Sequence, residues 1–405
     1  MESIDQQEQK MQLGGFNTPT WLLPPLYAFL SSRVVVFLAA YLADITIKTD
    51  TENSFYSLAP ENLFLDVFAR WDSKFYIDIA ENGYELIAGK VSSVAFYPLY
   101  PLLISITDIL FNNLVFSGVL VSHISFFLAL IYLYRLTLLI SDEGTAQRTI
   151  FYISLFPTAF FFSTIYTESV FLFFSVAAVY YGKKKEWGFA SIFTLLTGVT
   201  RITGLLVIGI IILEWLKNHG WTIRTILTSK AWKGLWSGIK TDWFNLLLIF
   251  LAPLGLLSHM LFLNQHFQDP IAFWSVQSAF NRLNIGPIAI IIRDFGPVFQ
   301  QNFFLGDIWW NVILDMAAFF GALAAVPFIY KHFGEGFSLY VLLSILLPVS
   351  SGTGSMIRYI LILFPIFILM GYLGKKQSVD RLIQTAFPVL LGVLTTVFVN
   401  WIFVA

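Results

Sequence analysis

Trp21-Leu22-Leu23-Pro24-Pro25-Leu26-Tyr27-Ala28-Phe29-Leu30-Ser31-Ser32-Arg33-Val34-Val35-Val36-Phe37-Leu38-Ala39-Ala40-Tyr41-Leu42-Ala43 carries one charge in a run long enough to cross a hydrocarbon core, which takes about 20 apolar residues. No small-residue cleavage site follows it, and residues 1–20 before it are polar, so it reads as a retained membrane span rather than a signal peptide. The rest of the chain repeats the theme. Charged residues make up 12% of the sequence, about half of the roughly 25% found in soluble domains. A net charge of −1 gives no footprint for nucleic acid, and the absence of cysteine removes disulfides, thiolate metal sites and cysteine nucleophiles.

Hydropathy and chain breaks predict an all-α polytopic membrane protein with about eleven spans in one domain covering 1–405. The spans are Trp21–Ala43, Phe116–Leu139, Ile150–Ile165, Ser169–Tyr181, Phe189–Thr200, Gly204–Trp215, Trp243–Leu263, Trp309–Tyr330, Phe337–Val349, Tyr359–Leu373 and Thr385–Val404. Two large loops interrupt them, 45–113 and 265–308. In the first loop, Ser73–Gly83 is short and amphipathic and should lie in the interface plane. Phe96–Leu110 is apolar but short, and is expected to dip into the membrane without crossing it.

Charge asymmetry orients the set. With 1–20 as a cytoplasmic tail and 96–110 non-spanning, the inner side collects Lys183–Lys185, the basic 217–240 loop, Lys331, Lys375 and Lys376. That satisfies the positive-inside rule. Letting 96–110 cross would put the first two of these groups outside. The 45–113 loop, the Glu168 turn, the Arg201 turn, the 265–308 loop and the Arg358 turn then share the outer face.

Asp72, in Arg70-Trp71-Asp72-Ser73-Lys74-Phe75-Tyr76, stands at the membrane edge of an apolar protein, as do Glu168, Arg201 and Arg358. Such groups are costly there and mark a functional site by default. Two acids and two arginines suit a reaction in which a carboxylate takes a proton from an attacking hydroxyl while guanidiniums grip a phosphate. Each also has a structural reading. Asp72 can cap the helix after it, Glu168 can answer a helix dipole, and Arg201 and Arg358 can snorkel to headgroups. Arg33, inside the first span, is expected either to pair with an acid or to line a groove. His123 reads as a packed polar residue, and His259 and His266 lack metal-ligand spacing.

Arg70-Trp71-Asp72, then Phe75-Tyr76-x-x-Ile79-Ala80-x-x-Gly83-Tyr84 and Phe96-Tyr97-Pro98-Leu99-Tyr100-Pro101-Leu102, resembles the PIG-V mannosyltransferase family. The likeness continues through Tyr166-Thr167-Glu168-Ser169-Val170-Phe171-Leu172, Leu195-x-x-Gly198-x-Thr200-Arg201-x-Thr203-Gly204-Leu205 and Arg358-Tyr359-Ile360-Leu361-x-x-Phe364-Pro365. Lys74 and Phe75 depart from the commonest residues after Trp-Asp, and 220–310 carries no matching motif. The resemblance implies a GT-C fold and a hexosyltransferase, a mannosyltransferase, that moves a sugar from a polyprenyl-phosphate donor to a hydroxyl on a glycan, glycolipid or other acceptor, with inversion. It implies Asp72 and Glu168 as catalytic acids, and Arg201 and Arg358 as donor-phosphate ligands. It implies a substrate pocket with Arg70, Trp71, Tyr97, Tyr100 and Tyr166, and no metal or other cofactor. A bacterial plasma membrane is expected over the endoplasmic reticulum, because no Asn-x-Ser/Thr sequon occurs. The competing class is a transporter or lipid flippase, which would show an internal repeat and mid-membrane polar residues.

Overall fold

The computed structural model describes residues 10–13, 16–47, 57–280, 282–283, 285–300 and 309–404, with side chains from residue 20 onward. Among these the chain is helical apart from a two-stranded antiparallel ribbon of Lys10–Leu13 and Phe16–Pro19. The remainder of the N-terminal tail, Lys48 and parts of both large loops lie outside the described residues.

The Leu23–Thr46 helix shows how the bundle is built. Pro24 and Pro25 occupy its first turn, where a missing N–H costs nothing. Its inward face is small or polar, with Ala28, Ser32, Val36, Ala40 and Ala43 buried, so that neighbouring backbones can approach closely. Its other face carries Tyr27, Leu30, Val34, Leu38 and Leu42, all exposed. An apolar stripe of that length faces lipid, not water. The inner face packs on the Gln377–Val399 helix, bringing the two ends of the chain together. The Leu114–Ile140 helix, apolar all round, is the central post against which Glu168–Lys183 packs.

Among the described residues four helices have membrane-crossing length and hydropathy: Thr20–Thr46, Leu114–Ile140, Trp309–Phe333 and Gln377–Val399. A fifth span is formed if Trp243–Ile249 and Leu254–Phe267 are taken together across their 42° bend. The other expected spans are realised by shorter helices, so a count of eleven crossings is not reached on length. The expected Ile150–Ile165 span ends as a helix at Leu155, because Phe156-Pro157 breaks it and a 3-10 turn at Ala159–Phe162 follows. The expected Tyr359–Leu373 span divides into Met356–Leu361 and Phe364–Leu373, with Pro365 in the first turn of the second helix.

Broken backbone at this depth survives only where protein supplies the missing partners. Arg33 does this for the first break. Its Nη1 and Nη2 both donate to the Ala159 carbonyl at 3.2 Å, and Nη1 donates to Ser163 Oγ at 2.6 Å. Among the described residues it therefore neither pairs with an acid nor lines the cavity described below. Nearby, the Ile165 N–H donates to the Phe68 carbonyl at 3.1 Å and Ser122 donates to the Thr164 carbonyl at 2.7 Å.

In the first loop, Ser73–Asn82 buries Tyr76, Ile77 and Ile79 and packs on Leu99–Phe111. The latter helix has 13 residues and leaves Ile109 82% and Leu110 81% exposed, so it is too short to cross yet apolar on its outer side. The basic turns gather at the opposite end of the bundle. There Lys375 pairs with Asp142 at 2.7 Å, Arg148 donates to the Gly371 carbonyl at 2.8 Å, and Lys183 pairs with Glu214.

Candidate functional site

The site begins with Arg70, which acts as a peg. It pairs with Asp66 one turn earlier and with Asp44 at 3.2 Å on the first long helix. It also donates to the Val399 carbonyl at 3.1 Å and stacks on Trp401. With the chain pinned there, Trp71 takes a left-handed backbone conformation, φ 54°. A non-glycine residue held there costs on the order of 1–3 kcal/mol, so the surroundings must enforce it. Tyr166 does so from inside: its hydroxyl donates to the Arg70 carbonyl at 3.2 Å and accepts the Asp72 N–H at 3.1 Å. The Trp71 ring lies against Trp401 and Phe403. Asp72 precedes Ser73–Asn82 but makes no capping hydrogen bond to it, which removes the structural reading of this residue.

Glu168 opens the Glu168–Lys183 helix and is fully buried. Its Oε1 accepts from Arg201 Nη1 and from Arg358 Nε, both at 2.6 Å. Arg358 Nη1 then donates to Asp72 Oδ2 at 3.1 Å. Arg201 Nη1 also reaches Thr167 Oγ1 at 3.1 Å. The four rare charges thus form one chain, Asp72–Arg358–Glu168–Arg201. Neither arginine snorkels: the Arg358 guanidinium lies 4.4 Å from the centre of the Tyr166 ring and the Arg201 guanidinium 5.4 Å from that of Tyr359. Glu168 Oε2 is buried without a hydrogen-bond partner among the described residues.

Local sequence explains these positions. Arg201 sits in the turn between Trp187–Gly198 and Leu205–Asn218, where its N–H donates to the Thr197 carbonyl at 3.1 Å. Gly204 closes that turn against the Thr197 backbone, leaving no room for a Cβ. Gly204→Ala is therefore expected to cost about 1–3 kcal/mol through overpacking. Thermal unfolding of the solubilised protein checks this. Arg358 is placed by Asp315, whose two oxygens accept the Ser355 and Ile357 N–H groups at 3.1 and 3.0 Å.

Asp72, Arg201 and Arg358 stand on the wall of a cavity of about 1030 Å³. All five segments assigned to one face in the sequence contribute to it: the first loop, the Glu168 and Arg201 turns, 273–300 and 347–359. Of the residues expected in the pocket, Tyr97 lines it. Arg70, Trp71, Tyr100 and Tyr166 do not. Arg70 and Tyr166 hold the backbone of the Asp72 turn, Trp71 packs against the C-terminal aromatics, and Tyr100 is bound to the Gly118 carbonyl and Ser122. Glu168 lies directly beneath the wall, screened by its two arginines.

Sequence reasoning missed Arg282, Arg293, Asp294, Asp315 and Tyr359, which also line the cavity. Asp315 had a signal, since an acid inside an otherwise apolar helix is rare. Asp294 accepts from Arg293 at 2.5 Å and from the Thr353 N–H and hydroxyl at 2.9 and 2.8 Å. Burial pushes its carboxyl up, but these bonds outweigh burial and leave it below the usual carboxylate range. Among the described residues no group of three or more His, Cys, Asp or Glu is placed to hold a metal ion. His259 packs among Tyr84, Tyr97 and Phe273, and His123 among Phe29, Phe37 and Phe68.

Comparison with known proteins gives the following. The sequence model of the family described as Mannosyltransferase (PIG-V) matches residues 26–233, a stretch that holds Asp72, Glu168 and Arg201. GPI mannosyltransferase 2 of Schizosaccharomyces pombe is 27% identical over 181 residues, 42% of this chain and 38% of that protein, so well under half of the relative's length is matched. Among solved structures, the apo oligosaccharyltransferase of Archaeoglobus fulgidus aligns over 93% of this chain and 55% of its own, with a TM-score of 0.47 and 14% identity. The same archaeal enzyme in complex with an inhibitory peptide and a dolichol-phosphate aligns over the same shares with a TM-score of 0.43 and 14% identity.

Proposed function

The chain belongs to the PIG-V mannosyltransferase family, and from that premise we propose that it transfers a mannosyl unit from a polyprenyl-phosphate donor to an acceptor hydroxyl, with inversion, within the GT-C architecture the family implies. The observation that carries this reading is the Asp72–Arg358–Glu168–Arg201 chain on a large cavity. Asp72 Oδ2 is held by Arg358, and Oδ1 accepts no hydrogen bond from the described residues, so one oxygen can receive a proton. The acceptor oxygen bonds to the anomeric carbon as the bond from that carbon to the phosphate oxygen breaks. The electron pair leaves on the phosphate, and the acceptor proton passes to Asp72. Arg201 and Arg358 turn their remaining N–H groups toward the phosphate. The aromatic wall around Phe96, Phe273 and Trp274 suits a sugar and a lipid stem.

The test uses purified protein in nanodiscs with polyprenyl-phosphate mannose and a soluble hydroxyl acceptor. Release of polyprenyl phosphate that depends on Asp72 supports transfer. Movement of intact donor between leaflets without its cleavage would make the protein a flippase and end this reading.

The site is read as opening to the outer side of a plasma membrane, with the basic turns inside. Cysteine introduced as Lys184→Cys should then react with an impermeant maleimide only in opened cells. Labelling in intact cells would reverse the orientation.

A further inference from the structure

Four arginines line the cavity: Arg201, Arg282, Arg293 and Arg358. Three are committed to carboxylates. Arg201 and Arg358 share Glu168, Arg358 adds Asp72, and Arg293 takes Asp294. Arg282 makes no ion pair among the described residues. Its Nη2 donates to the Tyr359 hydroxyl at 2.7 Å, and its guanidinium lies 5.8 Å from the centre of that ring. Arg201 approaches the same ring at 5.4 Å, so Tyr359 links the two cations. The Arg282 N–H donates to the Gln277 carbonyl at 3.3 Å, and that of Leu283 donates to the Ser351 carbonyl at 2.9 Å. A Cβ added at Gly352 would meet Arg282 Cγ at 3.9 Å and Arg293 Nη2 at 4.0 Å, so the 350–355 turn runs along both side chains.

Charge counting gives these facts a direction. The Asp72–Arg358–Glu168–Arg201 chain holds two acids and two bases, and Arg293–Asp294 is balanced by itself. Asp315 has both oxygens on backbone N–H groups. Among the described residues, an anion entering this cavity therefore meets one cation whose charge no carboxylate already answers. The reaction proposed above turns a phosphodiester with one negative charge into a monoester with two, and a neutral network cannot take up the added charge as well as an unpaired guanidinium can.

We propose that Arg282, steadied by Tyr359, is the anchor for the phosphate of the lipid-linked donor and of the lipid monophosphate that leaves. This rests on the transferase reading and adds a residue from the long second loop, where no motif pointed. In this arrangement Arg201 and Arg358 fix the phosphate's direction and Arg282 supplies the balancing charge. Lysine in its place keeps the charge but loses the fork that spans Tyr359 and a phosphate oxygen.

Binding tests the assignment apart from catalysis. Farnesyl phosphate, farnesol and inorganic phosphate are titrated separately into the full chain in nanodiscs. The parent should bind farnesyl phosphate more tightly than either of the others. Arg282→Gln should weaken farnesyl phosphate by roughly 10–100-fold, the scale of a lost hydrogen bond to a charged group. Farnesol affinity and thermal unfolding should stay as in the parent, and Arg282→Lys should recover part of the loss. Unchanged farnesyl phosphate affinity in Arg282→Gln overturns the anchor while leaving the transferase reading in place. An equal loss of farnesol also overturns it, because Arg282 would then only shape the wall. If the parent bound inorganic phosphate as tightly as farnesyl phosphate, the lipid source would be wrong. If it bound farnesol as tightly, the donor reading itself would fail.

Discussion

Asp72→Asn is expected to lower turnover by about 10²–10⁴-fold, the usual contribution of a positioned general base. The change keeps shape and lets Arg358 retain an oxygen partner, but removes the group proposed to take the proton. The side chain is 31% exposed, and the turn beneath it is held by Arg70 and Tyr166 through backbone atoms, so folding should be little affected. Farnesyl phosphate binding should also persist. Single-turnover measurement with polyprenyl-phosphate mannose separates the outcomes. Near-normal transfer by purified Asp72→Asn would show that the base lies elsewhere. Glu168 is a poor substitute, because it is fully buried and screened by both arginines.

Glu168→Ala should be damaging for a different reason. One oxygen of this residue accepts from both Arg201 and Arg358. Removing it leaves two guanidiniums beside aromatic rings with a single half-buried carboxylate, Asp72, which reaches Arg358 alone. Breaking a buried ion pair from one side costs about 3–5 kcal/mol, because the remaining charge is left unanswered. That is a large fraction of the roughly 5–15 kcal/mol that holds a typical domain together. Thermal unfolding in detergent should therefore drop sharply for Glu168→Ala. The Glu168→Met, Arg201→Met, Arg358→Met triple variant should regain part of the loss, since it buries no charge. A Glu168→Ala protein as stable as the parent would mean that water reaches this network.

The charge chain was legible in the sequence because the surroundings are so apolar. In a protein with few ionisable residues, Asp72, Glu168, Arg201 and Arg358 stood out singly, and turn positions put them on one face. The pocket residues were less legible. Arg70, Tyr100 and Tyr166 belong to the same set of motifs as the charged residues, and a motif does not distinguish a side chain that faces a cavity from one that holds the backbone behind it. Arg282 did not stand out, since the role proposed for it rests on an ion pair it does not make among the described residues. The bounds of the spans were less legible for a physical reason. Hydropathy records that Ile150–Ile165 is apolar, but not that Arg33, more than a hundred residues earlier, answers the carbonyl that lets the helix stop at Leu155. Asp315 was absorbed into a span for a similar reason: backbone N–H groups from a later turn satisfy it.

The double grip on Glu168 also sets an order of events while the protein is being made. Arg201 follows the acid by 33 residues, and Arg358 by 190. At roughly 5–20 residues per second, the second partner arrives about 10–40 s after the acid has left the ribosome tunnel region. Through that interval the nascent chain carries Glu168 with a single arginine, and Asp72 with none. Both acids gain their shared partner only once the segment holding Arg358 has been made. A ribosome stalled before the 350–355 turn thus leaves a bundle that has most of its helices but lacks Arg358. Synthesis of the segment that carries Arg358 first lets the four charges meet.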